Sequence, residues 1–265
     1  MAKLDVRPTD GVAVLTLNEP PANTYSYEMM REIDAAVLEA RMDTSVHVIV
    51  LTGAGEKFFC AGATIGMLKD ADPDYKYYFC LHANETLNRL EQTPKLVIAA
   101  LNGHTVGGGF EVAMAADLRI ARKDAGRIGL PEVALGVLPG TGGTQRLARL
   151  VGKARAMELM ITGRLMTMDE ALGAGLVTDV WDQDRLGGRS FIDAVVAYAQ
   201  QFTPPNKASR AVGRIKRAVQ SGLEAGFSEG LAIVRELQQL LFQSDDAKEG
   251  IAANLEKRKP NFTGN

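Results

Sequence analysis

Three consecutive glycines open an apolar run that carries a single carboxylate: Val106-Gly107-Gly108-Gly109-Phe110-Glu111-Val112-Ala113-Met114-Ala115-Ala116. The run is too apolar to lie in water, so a fold of this chain must bury it with Glu111 inside. A buried carboxylate is costly unless it is paired, hydrogen-bonded or neutralised. Glycine is a poor helix former, so three in a row at a helix start need a reason. Close packing of backbones is one. The other is a ligand, because backbone N–H groups there are exposed where the helix dipole favours negative charge. A second carboxylate follows in Ile128-Gly129-Leu130-Pro131-Glu132-Val133, again among apolar neighbours. Either glutamate could be structural, Glu111 tied to an arginine or a backbone group and Glu132 serving a helix start after Pro131. Together with an oxyanion donor they could instead move protons beside a carbonyl.

Composition bounds the rest. The chain has 265 residues, 46% of them hydrophobic, enough for one large domain or two small ones. A net charge of −2 argues against a nucleic-acid or anionic-membrane binder that works through bulk charge. Cys60 and Cys80 make no disulfide framework and no CxxC pair, and His47, His82 and His104 lack metal-ligand spacing. The first twenty residues show neither a signal core nor an arginine-rich transit pattern. No apolar run approaches the roughly 18 residues of a membrane span. The expectation is a soluble, cytoplasmic protein.

Short Val/Ile/Leu runs closed by turn residues predict strands at Val12 to Leu17, Val46 to Thr52 and Leu96 to Leu101, with a fourth at Asp117 to Ala121. Apolar residues at helical spacing predict helices over Ser26 to Met42, with Ser26 at the N-cap, and over Tyr75 to Leu90. This alternation reads as α/β. The C-terminal third turns helical: Lys153 to Ile161, a helix opened by the capping box Thr167-Met168-Asp169-Glu170, then Leu186 to Gln201, Ala208 to Gln220, Glu229 to Leu241 and Asp245 to Lys257. Val177 to Trp181 suits a short strand. The stripe Leu231, Val234, Leu237, Leu240 and Leu241 must bury on the core or on another subunit. No internal repeat is visible. Composition shifts near Gly163 to Asp182, and we divide the chain into a catalytic core over 1–195 and a helical C-terminal region over 196–265.

Three further segments bear on chemistry. In Phe58-Phe59-Cys60-Ala61-Gly62-Ala63-Thr64-Ile65, small residues follow a strand, so a ligand could approach the Ala63 N–H; a tight turn beside two core phenylalanines is the plainer reading. Leu138-Pro139-Gly140-Thr141-Gly142-Gly143-Thr144-Gln145-Arg146-Leu147 lacks the lysine of a P-loop and reads as a rigid turn that sets the preceding glutamate in place. Cys60 and His104 read as packed side chains rather than catalysts. Tyr75, Tyr77, Tyr78 and Phe79 suit a core face or an acyl pocket.

In order along the chain, these segments resemble the crotonase, or enoyl-CoA hydratase/isomerase, superfamily. The match runs from Leu15-Thr16-Leu17-Asn18-Glu19-Pro20 through Phe59-Cys60-Ala61-Gly62-Ala63, through Ala99-Ala100-Leu101-Asn102-Gly103 into Gly107-Gly108-Gly109-Phe110-Glu111, and through Leu130-Pro131-Glu132 into Pro139 to Leu147. It ends at Glu256-Lys257-Arg258-Lys259-Pro260-Asn261-Phe262. The resemblance implies a spiral of repeated ββα units with a helical C-terminal trimerisation region, assembled as a homotrimer or dimer of trimers. It implies a hydro-lyase that adds water to a 2-enoyl-CoA, with coenzyme A part of the substrate and neither metal nor redox cofactor. Ala63 and Gly108 would supply the oxyanion N–H groups. Glu111 would deprotonate water and Glu132 would protonate the α-carbon, with at least one raised pKa. Ala22, Ala61, Ala63, Thr64, Ile65, Gly108 and Phe262 would contact the acyl-CoA. Departures occur at Thr64 and Gly66, where many members carry Asp and Lys. Thr24-Tyr25-Ser26 replaces the usual Asn-Ala-Leu and would alter the mouth of the CoA channel. The alternatives are a Δ3–Δ2 isomerase, a hydratase for a branched or cyclic acyl-CoA, and a non-catalytic acyl-CoA or RNA binder. The modest basic cluster Lys207, Arg210, Arg214, Lys216 and Arg217 reads better as a solvated helix face than as an RNA site.

Overall fold

The apolar runs become the central strands of one sheet. In the computed structural model, which describes residues 3–265, the strands are β1 (Leu4–Thr9), β2 (Val12–Leu17), β3 (Val48–Gly53), β4 (Phe58–Cys60), β5 (Leu96–Leu101), β6 (His104–Val106), β7 (Leu118–Arg122), β8 (Ile128–Gly129) and β9 (Asp179–Trp181). A large sheet runs β1-β2-β3-β5-β7-β9 and a small one β4-β6-β8. β1 and β2 are antiparallel, and the remaining neighbours pair parallel. β3 and β5 are buried at every residue, as parallel strands covered on both faces must be.

Strand alternation sorts their side chains between two cores. Ile49, Leu51, Val97 and Ala99 pack with Met29, Ile33, Leu87 and Phe110. Val48, Val50, Ile98 and Ala100 pack on the other face with Trp181, Phe191 and Val195. Each fully buried Leu, Ile or Phe contributes about 1.5–3 kcal/mol relative to exposure.

The chain passes three times through the same unit: a long strand (β3, β5, β7), a short strand (β4, β6, β8), then helix. Pro73–Gln92 is the principal helix of the first unit, Gly108–Met114 that of the second and Gly143–Val151 that of the third. This is a spiral of ββα units. The sequence hides the repeat because the short strands have two or three residues and the helices range from 7 to 20. Ser26 caps the helix Tyr27–Met42 by accepting the Met29 N–H, and Thr167 and Glu170 form the expected capping box.

One strand was not expected and one expectation is corrected. β1 carries no apolar pattern to announce it, since four of its six residues are exposed on a sheet edge. The single helix expected over Leu186 to Gln201 is interrupted: Gly187 and Gly188, at φ +59° and +77°, end the helix Gln183–Leu186, and Ser190 caps a new one, Phe191–Ala199.

The C-terminal helices Ser209–Glu224, Phe227–Phe242 and Asp245–Leu255 bury few of their own residues. Gly213 lies so close to Pro94 that a Cβ would come within 2.1 Å of the Pro94 oxygen. Lys216, one member of the basic cluster, is buried and bonds Asp117 at 2.8 Å and the Lys95 carbonyl at 3.0 Å. Such a pair fixes docking geometry more than it adds stability. Among the described residues, no helix is long and apolar enough to cross a membrane.

Candidate functional site

The strands of the small sheet end side by side, and each end delivers one part of a site. After β4, the backbone of 61–64 lies beside 22–25. Ala61 N–H bonds the Ala22 carbonyl at 3.1 Å, Tyr25 N–H bonds Gly62 at 2.9 Å, and Thr64 N–H bonds Tyr25 at 3.0 Å. This parallel bridge pairs Tyr25 with Ala63. It uses the Gly62 carbonyl and the Thr64 N–H, so the Ala63 N–H points away from it and has no acceptor among the described residues.

After β6, Gly107 N–H bonds the Gly129 carbonyl at 2.9 Å, and Gly107 itself takes φ +59°, ψ −133° before the helix begins at Gly108. The Gly108 N–H belongs to the first turn, where no intrahelical acceptor exists. The two donor segments are neighbours, since a Cβ on Gly62 would sit 3.0 Å from the Gly108 nitrogen. Close packing accounts for two of the three glycines. A Cβ on Gly109 would meet the Cys60 carbonyl at 2.0 Å, and one on Gly108 would meet the Tyr25 hydroxyl at 2.1 Å. Packing and ligand access are therefore one arrangement: the helix start is drawn against 60–62, and that brings the Gly108 and Ala63 backbones together.

The glutamates have unlike surroundings. Glu111 is 2% exposed. Its Oε1 accepts the Gly143 N–H at 2.7 Å and the Thr141 N–H at 2.8 Å. Burial raises its pKa, and these N–H bonds, the Thr141 hydroxyl and Arg146 oppose the rise. Glu132 follows β8 and opens a single 3-10 turn, Glu132–Leu135. Its Oε1 lies against Gly107, 3.1 Å from where a Cβ would stand, and its Oε2 is buried with no hydrogen-bond partner. Burial, with the Glu111 charge adding to it, raises its pKa to about 7. The N–H donors thus favour the anion at Glu111, and burial of an unpartnered oxygen favours the proton at Glu132.

The other expected contacts sort by position. Ala22, Ala61 and Ala63 line the bridge just described. Thr64 bonds Thr24 and the Tyr25 carbonyl through its hydroxyl, and Ile65 is exposed beside it. Phe262 stands apart: its ring lies against Gly250 of the last helix and its N–H bonds Pro205. Among the described residues, no hydrogen bond joins Phe262 to either glutamate. The Cys60 thiol is buried, which pushes its pKa up to about 12, so it is no thiolate nucleophile. His104 packs on Phe58 and accepts the Arg127 N–H.

Three residues escaped the sequence reading. The loop of Thr141 and Gly143 was expected to set the preceding glutamate, Glu132; its N–H groups hold Glu111 instead, 30 and 32 residues upstream. Tyr25, expected at a channel mouth, is buried at the site, its hydroxyl 2.9 Å from Thr141 Oγ1. The signal for Gly143 was its size, because a Cβ there would come within 2.8 Å of Glu111 Oε1.

Comparison with known proteins agrees with this architecture. The family model described as enoyl-CoA hydratase/isomerase matches residues 7–265. A short-chain-enoyl-CoA hydratase of Clostridium acetobutylicum is 39% identical, over 94% of this chain and 92% of its own length. A crotonyl-CoA hydratase of Syntrophomonas wolfei is 37% identical, over 95% and 94%. The crystal structure of an enoyl-CoA hydratase from Geobacillus kaustophilus superposes with a TM-score of 0.95 at 45% identity, covering 100% of this chain and 98% of that one.

Proposed function

This chain belongs to the enoyl-CoA hydratase/isomerase family, and we propose that it is a hydro-lyase that adds water reversibly to a 2-enoyl-CoA, giving a 3-hydroxyacyl-CoA. The observation that carries the reading is the pair of unlike glutamates flanking two unpaired backbone donors. The thioester oxygen accepts from the Ala63 and Gly108 N–H groups, which are fixed in advance and need no reorganisation as enolate charge develops. Glu111, ionised and held by two N–H bonds, takes a proton from water as its oxygen attacks the β-carbon. Glu132, whose Oε2 has no protein partner, gives its proton to the α-carbon. Dehydration runs the same steps backward with the roles exchanged. Every proton in the cycle resides on a glutamate, water or substrate, so this chemistry calls on no metal or redox group.

A single carboxylate suffices to shuttle a proton between two carbons, whereas adding water needs a base and an acid; the second glutamate favours hydration over double-bond isomerisation. The relatives named for short-chain and crotonyl substrates make crotonyl-CoA the first substrate to try. The exposed apolar residues of the C-terminal helices support assembly as a homotrimer or dimer of trimers.

The test follows the conjugated enoyl-thioester absorbance when purified protein meets crotonyl-CoA. Rapid decay in the wild type, with Glu111→Gln slower by more than about 100-fold, is the expected result. Decay that Glu111→Gln leaves intact would remove Glu111 from the mechanism. Binding of crotonyl-CoA without decay would move the function to isomerisation or to another enoyl substrate.

A further inference from the structure

Tyr25 touches both oxyanion segments and the loop that holds Glu111, although its segment departs from the family pattern. Its backbone brackets Ala63: the N–H bonds Gly62 at 2.9 Å and the carbonyl accepts from Thr64 at 3.0 Å. Its ring stacks on Phe79 of the helix Pro73–Gln92, centroids 6.0 Å apart at 28°. Its hydroxyl lies over the Gly108 Cα, where a Cβ would come within 2.1 Å, and bonds Thr141 Oγ1 at 2.9 Å. Thr141 in turn gives its N–H to Glu111. The loop around Thr141 has further ties, from Asn84 to the Gly140 carbonyl at 3.0 Å and from Arg146 to the Thr141 carbonyl at 3.3 Å, but these reach its backbone from the helices behind it. The phenol is the tie from the oxyanion side. A buried hydroxyl left without a partner is costly, so the Tyr25–Thr141 pair holds only when both segments keep register.

We infer that Tyr25 is a positioning residue for the reaction: its main chain sets the Ala63 donor, and its hydroxyl sets the loop that holds Glu111 at the right distance from the thioester. The inference rests on the hydratase reading. It predicts that the two halves of the residue separate experimentally. Tyr25→Phe keeps the backbone bonds and the ring and deletes only the tie to Thr141. Its kcat for crotonyl-CoA hydration should fall about tenfold, the loss of one buried hydrogen bond, with KM within about twofold of wild type.

A cinnamoyl-CoA carrying a para-dimethylamino group reports on the oxyanion donors, because a hydrogen-bonded carbonyl shifts its absorbance to longer wavelength. That shift should be the same in Tyr25→Phe as in wild type. Thr141→Val, which also removes the hydroxyl that favours ionised Glu111, should lose at least that factor, and the double variant should lose little more than Thr141→Val alone, as coupled partners do. Thr141→Ser should retain most of the rate. An active wild type with an equally active Tyr25→Phe overturns the inference and leaves the hydratase reading standing. Additive losses in the double variant, or a spectral shift that falls in step with kcat, overturn it too, since they indicate independent or general structural damage. A wild type that shifts the probe but hydrates nothing overturns the hydratase reading, and the inference with it.

Discussion

In the mechanism we propose, whether a glutamate serves as acid or base is decided by what its oxygens touch. Glu111 is buried and Glu132 half-buried, and this loss of water raises both pKa values. Only Glu111 is compensated by two backbone donors. Glu132, at about 7, holds a proton up to neutral pH, while the two N–H donors favour the ionised form of Glu111; in the proposed mechanism the pair works while it carries a single proton. The pH dependence follows. As pH rises through about 7, Glu132 loses the proton destined for the α-carbon, so kcat/KM for hydration should fall, approaching tenfold per unit well above 7. As pH falls far enough to protonate Glu111, the base is lost and the rate falls again. A profile recorded from pH 5 to 9 checks the fall above 7; a rate that stays flat through pH 8.5 would assign the proton to another donor. Glu132→Gln should lower kcat by more than about 100-fold while leaving the affinity for a saturated acyl-CoA, read by calorimetry, largely intact. Glu111 was legible from sequence because a lone carboxylate in an apolar run has few uses. Tyr25 was not, because its partner lies 116 residues away.

At the scale of elements, what was legible depended on length. β3 and β5 are six-residue runs of Val, Ile, Leu and small residues, buried throughout, and their pattern cannot be mistaken. β4, β6 and β8 have two or three residues each, too few for any periodicity, yet their parallel ends lead into Ala63, Gly108 and Glu132. Glycines mark those ends better than strand propensity does. The helix Gly108–Met114 can begin where it does only because Gly109 lets its backbone reach Cys60. Gly109→Ala would set a Cβ 2.0 Å from the Cys60 carbonyl, and the obstacle is backbone, which no rotamer change relieves. The helix start must move away from 60–62, separating the two oxyanion donors. We expect Gly109→Ala to lose stability by about 1–3 kcal/mol, the usual cost of overpacking, and to lose hydration activity at temperatures where it remains folded. Gly173→Ala, where a Cβ meets nothing within 4 Å, is the matched control for an added methyl in a helix. Thermal melts and the crotonyl-CoA assay on the two variants separate clash from propensity. Equal melting temperatures and rates would show that the tight contact has little consequence.

The single chain leaves apolar surface that a globular core does not account for. Leu223 and Phe227, at the corner between two C-terminal helices, are 77% and 82% exposed, and Ile215, Val219, Leu231, Val234 and Leu255 are exposed on the same three helices. Scattered apolar residues on a surface are ordinary, but several on consecutive amphipathic helices mark an interaction face. The stripes had two destinations in the sequence, the chain's own core or another subunit, and the fold withholds the first from much of them. What holds the helix Ser209–Glu224 to the core is largely polar and specific: Gly213 against Pro94, Lys216 on Asp117 and the Lys95 carbonyl, Gln220 on Asp117, and Glu224 on Arg149. A region docked in this way, with its apolar stripes left exposed, fits a role in which its remaining surface is covered by other copies. If so, the wild type should sediment at three or six times the 28.5 kDa chain mass. Leu223→Glu with Phe227→Glu should shift the boundary toward single chains, because desolvating two carboxylates in an apolar contact costs several kcal/mol per ion. The face lies on elements separate from the glutamates, so dissociated chains that still hydrate crotonyl-CoA would show that each site is complete in one subunit. Chains that dissociate and lose activity while keeping their fold, read by circular dichroism, would show that a neighbour completes it. A double variant that sediments like the wild type would move the interface to another surface, and the exposed Leu135, Val137 and Leu138 beyond Glu132 would be the next residues to charge.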